Sequence, residues 1–169
     1  MNTTPPGADL ARVKLRESID IAAPPEVVWP FVADPVMESA WNPKIVGVDR
    51  ERRQTVGAGE RYRMTFHMGA RDHEYDVEVL AVEEPLRVQY AMKTTDLTAG
   101  EVRVLYELAK TSKGVRLRQT IDLSRAPIPL PFRALIWLIT RLGSSKETPY
   151  LDRLREQAER IAEGVPAAA

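Results

Sequence analysis

The chain has 169 residues, with 24 Lys or Arg balanced by 24 Asp or Glu. A formal net charge of zero leaves no excess to neutralise a phosphate backbone, which argues against a nucleic-acid binder. Cysteine is absent, so disulfides and thiolate metal sites are excluded and a reducing compartment, the cytoplasm, is expected.

The length fits one domain with a substantial core. Residues 1–11, with Pro5, Pro6 and Gly7, read as a loose arm, and 164–169 as a tail, leaving a single domain over 12–163. The first eleven residues hold no basic region followed by an apolar run, so no signal peptide is expected. The longest apolar stretch, Ile128 to Leu142, contains Arg133 and Arg141. It falls short of the roughly 20 apolar residues a spanning helix needs, so no transmembrane segment is expected.

Period-two alternation dominates the middle of the chain. Val13, Leu15, Glu17, Ile19 and Ile21 share one face of a first strand. Ala23-Pro24-Pro25-Glu26 then signals a helix start, and the helical pattern runs to Ala33, although Pro30 is expected to kink or shorten it. Asp34-Pro35 opens a second short helix ending near Trp41-Asn42-Pro43, and Lys44 to Arg53 is a weaker strand. Trp29 and Trp41 are expected to pack these helices on the sheet.

Arg61 to Met68 and His73 to Val79 alternate on either side of Gly69-Ala70, a pair suited to a two-residue hairpin with glycine first. That turn predicts a register: Arg63 opposite Asp76, Arg61 opposite Glu78, Phe66 opposite His73, Met64 opposite Tyr75, Tyr62 opposite Val77. One face is then ion-paired and the other aromatic, and a slip of one residue would destroy both sets.

Glu84-Pro85 turns into Leu86, Val88, Tyr90 and Met92 on one phase; Val102, Val104, Tyr106 and Leu108 follow. Ser112-Lys113-Gly114 then turns into Val115, Leu117, Gln119, Ile121 and Leu123, with Glu107 expected to face Arg116. Strands joined by short turns make an antiparallel meander. The C-terminal third switches to helical spacing at Leu151, Leu154, Ala158 and Ile161. Phe132 to Leu142 is helical in pattern and apolar on more than half its circumference, with breaks at Gly143 and Pro149.

Ile21-Ala22-Ala23-Pro24-Pro25-Glu26-Val27-Val28-Trp29, with Asp34 and Trp41-Asn42-Pro43, resembles the opening of the START and birch-pollen-allergen-like superfamily, in its polyketide cyclase/dehydrase and lipid transport (SRPBCC) branch. The element order extends the resemblance over about residues 12 to 163. It implies an α+β helix-grip fold: about seven curved antiparallel strands around a long C-terminal helix, two short helices after the first strand, and a cavity between sheet and final helix.

The strand phases sort the polar residues. Glu17, Tyr62, His73, Tyr75, Tyr90, Tyr106 and Gln119 fall on the concave face, while Arg16, Arg61, Arg63, Arg87, Arg103, Arg116 and Arg118 fall on the outer one. Tyrosine offers an apolar ring and one hydroxyl, which suits an apolar pocket with few oriented polar contacts or a core with bonded hydroxyls. The expected ligand contacts are Tyr62, Met64, Phe66, Tyr75, Tyr90, Met92, Tyr106, Gln119 and Trp137. Glu17, a carboxylate on an apolar strand face, is either a solvated strand end or an acid, base or ligand anchor, in the last case with His73 as its companion. His67, on the outer phase facing Asp72, is expected at the surface.

The two histidines lack metal-ligand spacing, and no P-loop, dinucleotide fingerprint or nucleophile elbow occurs, so no metal or cofactor is expected. The first expectation is a carrier or sensor for a small hydrophobic molecule, lipid or polyketide-like. The alternative is a cyclase or dehydratase using Glu17, His73 or a tyrosine for proton transfer; the lack of inward arginines weighs against it. Residues 129–142 either line the pocket through Trp137 or form a lip for peripheral membrane contact or a homodimer.

Overall fold

The computed structural model describes residues 14–50, 54–94, 100–126 and 149–164. The expectations for the N-terminal arm, for residues 165–169, and for 129–142 with Trp137 lie outside these residues. The described elements are β1 (Lys14–Ile21), α1 (Pro25–Ala33), α2 (Pro35–Trp41), β2 (Ile45–Asp49), β3 (Arg61–Met68), β4 (Arg71–Glu83), β5 (Arg87–Thr94), β6 (Glu101–Thr111), β7 (Gly114–Arg125) and α3 (Pro149–Ala162). The strands form one seven-stranded antiparallel sheet in the order β1-β7-β6-β5-β4-β3-β2. This is the α+β helix-grip arrangement the sequence predicts.

The β3–β4 hairpin has the predicted register throughout: Arg61 pairs Glu78, Tyr62 Val77, Arg63 Asp76, Met64 Tyr75 and Phe66 His73. Gly69 takes φ +67° while Ala70 keeps a negative φ, as a turn with glycine at its first central position requires. Outer-face contacts follow from that register: ion pairs of Arg63 with Asp76 at 3.2 Å and of Arg61 with Glu78 at 3.3 Å, and a hydrogen bond between His67 Nδ1 and Asp72 at 2.6 Å. Glu78 is half-buried and the other groups are exposed, so each contact adds little stability and its larger service is to oppose register slips.

Three expectations change. The expected Glu107–Arg116 facing does not form. The β6–β7 turn has Ser112 and Lys113 at its tip, closing Thr111 on Gly114, so Glu107 stands opposite Arg118. Arg116 instead pairs with Asp20 of β1 through two hydrogen bonds of 2.7 and 2.9 Å. Pro30 does not end α1, which continues to Ala33; the Asp34 amide still donates to the Pro30 carbonyl at 2.9 Å. A proline there removes only its own intrahelical bond, a loss the burial of Trp29, Phe31, Val32 and Ala33 outweighs. Leu86 and Ile161 were expected on apolar faces, yet both are exposed at 39%. Leu86 sits in the turn before β5, its amide donating to the Glu83 carbonyl, and Ile161 is in the last turn of α3.

The inner face is continuous in chemistry but not in packing. Toward one end, Val88, Leu108, Val115, Leu117, Ile19 and Ile21 pack against Val28, Trp29 and Phe31 of α1 and Leu151, Leu154 and Ala158 of α3, forming a closed core. Trp41 is buried, with its Nε1 donating to the Phe31 carbonyl at 2.8 Å, so it ties α2 to α1. Further along the same strands the same phase reaches Tyr75, Met92, Val102, Val104, Ile121 and Leu123, which are only partly buried. The sheet therefore carries a solid core at one end and a pocket at the other. The β4–β5 register shifts between Val79 and Ala81, as at a bulge, a feature that bends strands.

Two glycines test this geometry. Gly69→Ala introduces no clash, since nothing lies within 4 Å of the added carbon, but it places a side chain at positive φ. It is expected to lower the unfolding free energy by about 1–2 kcal/mol in urea titrations. Gly114→Ala, whose added carbon would stand 2.2 Å from the Ile21 carbonyl oxygen, should cost more. A Gly69→Ala protein as stable as the wild type would rule out the positive-φ turn.

Candidate functional site

The pocket has a volume of about 390 Å³, within the range of roughly 300–1,000 Å³ usual for small-molecule sites. Its wall is supplied by alternate residues of five strands, among them Met64, Phe66, Tyr75, Met92, Val104 and Ile121. Phe66 and Tyr75 meet edge to face with centroids 5.3 Å apart, a direct product of the hairpin register.

The boundary between core and pocket is polar. Tyr106 of β6 is buried and its hydroxyl donates to Glu38 Oε1 of α2 at 2.9 Å. Gln119, its partner across β6–β7, donates from Nε2 to the Tyr106 hydroxyl oxygen at 2.9 Å. Tyr150 of α3 donates to Gln119 Oε1 at 3.2 Å. Neighbouring Tyr90 donates to the Val32 carbonyl at 2.8 Å and packs edge to face on Tyr106. Glu38, Asn42, Tyr90, Tyr106 and Gln119 are all buried pocket residues, so together they form its floor.

Glu38 is the group with chemistry in it. Burial disfavours its charged form and raises its pKa from 4.5 to about 7, against hydrogen bonds from Tyr106 and Asn42 that favour the carboxylate. The carboxyl can therefore hold or release a proton near neutral pH. Burial also raises the tyrosine hydroxyls at positions 62, 90 and 106 well above their ordinary pKa, with the Glu38 charge adding to it, so these remain neutral donors.

The rim is different. Lys44 and Met68 line the pocket and are exposed. The Lys44 ammonium stands 5.6 Å from the centre of the Tyr150 ring, and that ring stacks on Trp41 with centroids 6.0 Å apart.

Eight of the residues expected as ligand contacts, Tyr62, Met64, Phe66, Tyr75, Tyr90, Met92, Tyr106 and Gln119, line this pocket. Glu17 and His73 stand outside its described lining, and three strands separate their own in the sheet. Glu17 lies opposite Gln119 in the β1–β7 register, with its Oε2 buried and lacking a hydrogen-bond partner among the described residues. Glu38, Asn42, Lys44 and Tyr150 were missed. Helical spacing carried the signal for the first: Glu38 lies three residues before Trp41 and four before Asn42, so the buried tryptophan marks its face. Among the described residues no group of three His, Cys, Asp or Glu side chains could hold a metal ion. No described helix is long and apolar enough to cross a membrane.

The family description "polyketide cyclase / dehydrase and lipid transport" matches residues 12–159. The chain belongs to this family. No curated protein matches it. Among solved structures, this polyketide cyclase/dehydrase and lipid transport family member is similar to protein CV1439 from Chromobacterium violaceum, with a TM-score of 0.62 and 21% identity over 86% of this chain and 96% of that one. It is also similar to major latex-like protein 151 from Panax ginseng, with a TM-score of 0.62 and 12% identity over 86% and 97% of the two chains. Ara h 8.0201 matches at a TM-score of 0.58 and 13% identity, over 87% and 97%. At these identities the likeness carries the fold alone.

The Glu38 carboxyl gives stability a pH dependence. Its folded pKa of about 7 exceeds the ordinary 4.5, so the native state holds the extra proton between those values. The contribution is fully present below the lower value and lost as pH rises through the upper one, with a full span of about 3 kcal/mol. Glu38→Gln keeps an acceptor for Tyr106 and removes the titration. In urea titrations at pH values spanning that window, the wild type should weaken with rising pH more steeply than the variant; parallel profiles would contradict a buried titrating carboxyl.

Proposed function

We propose that this family member binds one small, largely apolar molecule in the pocket between the sheet and α3, as a carrier or sensor. The observation that carries the reading is the change of packing along one strand phase. The inward residues of β5, β6 and β7 close on a core at one end, yet at the other they surround open volume. Apolar side chains left around a space of this size gain from a guest that removes them from water. Met64, Met68 and Met92 add flexible, polarisable contacts that tolerate more than one guest shape. The family description, with its pairing of polyketide chemistry and lipid transport, supports a guest of that apolar kind.

Glu38 favours a second reading, an enzyme of the cyclase or dehydratase type. A carboxyl with a pKa of about 7, bonded to Tyr106 at the floor of an apolar pocket, has the protonation behaviour that acid–base catalysis needs. In that reading Glu38 takes the role expected of Glu17 or His73.

Native mass spectrometry of protein taken from producing cells should show a co-purified apolar species, released on collisional activation. Val104→Trp, which fills the pocket from a partly buried wall position, should keep the circular dichroism spectrum and weaken apolar binding by at least about tenfold. Protein that arrives empty and binds no apolar probe would overturn the proposal. For the enzyme reading, Glu38→Gln should abolish turnover of a candidate substrate while leaving its binding, and turnover unchanged in the variant would remove Glu38 from that role.

A further inference from the structure

We propose that the preferred guest is an organic acid, held with its carboxylate at the Lys44 ammonium on the rim and its apolar body along the Met64, Phe66 and Val104 wall. The inference rests on the ligand-binding reading and adds a chemical class and an orientation to it.

Tyrosines apart, the described lining has two ionisable side chains, Glu38 and Lys44. They differ in depth: Glu38 is 8% exposed on the floor, whereas Lys44 belongs to the exposed rim. An anion on the floor would lose its water and meet a carboxyl already bonded to Tyr106, both unfavourable. The rim offers the opposite. Lys44 is the one cation of the described lining, and it makes no ion pair among the described residues, so no carboxylate competes for its ammonium. The cation of Lys44 faces an aromatic ring at the pocket instead, a contact within the usual reach of a cation–π pair.

Its place is defined from both sides. The Lys44 amide donates to Asn42 Oδ1 at 3.2 Å, so the chain leaves α2 under a side-chain bond. Tyr150, beneath the ammonium, is fixed by its stacking on Trp41 and its bond to Gln119. The wall between floor and rim is apolar, so the part of the guest that spans it is apolar too. Charge at one end and a hydrocarbon or aromatic body at the other describe an amphipathic acid.

Naphthylacetate, naphthylethanol and naphthylethylamine share one ring and one arm length and differ in the head group. Isothermal titration at low ionic strength should rank the acid first, about fivefold tighter than the alcohol, as a solvent-exposed ion pair allows. Molar salt should shrink that margin, because exposed charges are screened. Lys44→Met should bring the acid down to the affinity of the alcohol measured on the same variant, and Lys44→Arg should retain the preference. An alcohol or amine that binds the wild type as tightly as the acid overturns the inference and leaves the pocket reading standing, as does an acid preference surviving in Lys44→Met. If none of the three binds, the ligand-binding reading falls and this inference with it.

Discussion

A carboxyl group removed from water has to be hydrogen-bonded, protonated or both, and the interior of this protein is arranged around that requirement at Glu38. The Tyr106 hydroxyl meets it from the middle of the sheet. Because Tyr106 faces inward, β6 must hold its alternation in phase, which places Val104 and Val102 on the pocket wall and Leu108 in the core. Because Gln119 bonds Tyr106, β7 must be in the matching register, which sends Leu117 and Val115 to the core and Ile121 and Leu123 to the pocket. One bond between a short helix and a strand thus marks where solid packing stops.

The pocket wall follows from the same period of two. Side chains on one face of a strand recur every second residue, and residues directly opposite on neighbouring strands share that face. Tyr62, Met64 and Phe66 on β3 therefore stand beside Val77 and Tyr75 on β4, and beyond them Tyr90 and Met92 on β5. Large unbranched and aromatic residues dominate this end, whereas branched aliphatics dominate the core. Branched side chains have few rotamers and interlock well; methionine and tyrosine leave adaptable surfaces with a polar or polarisable atom at the tip.

These differences also explain what could be read without coordinates. The β3–β4 register was legible because turn chemistry, charge and hydrophobicity converge there on one alignment, with Gly69 at positive φ. The β6–β7 register was less constrained: Arg116 and Arg118 share the outer phase, so alternation alone gives Glu107 two possible partners, and the location of the turn tip decides between them. Glu38 escaped notice because its helix has seven residues, too few for an apolar repeat, so its spacing to Trp41 and Asn42 was the one signal on offer. Pro30 argued by local rule for a kinked or shortened helix; the helix is not shortened, because the apolar residues after Pro30 are buried in the core. Glu17 was singled out as a carboxylate on an inward phase; its register partner is Gln119, one of the floor residues, while Glu17 itself stands outside the described lining. What alternation could not supply was depth, since it assigns a face without saying how far along the strand the core gives way.

Tyr150 adds a consequence of another kind. It lies at the start of α3, near the C-terminus, yet it donates the hydrogen bond that holds Gln119 Oε1. The Tyr106 hydroxyl gives its proton to Glu38 and so takes the Gln119 nitrogen, which leaves the Gln119 oxygen for Tyr150. Donors thus run in one direction from α3 through β7 and β6 to the α2 carboxyl, so the last helix and the second short helix are joined through the sheet at the pocket floor.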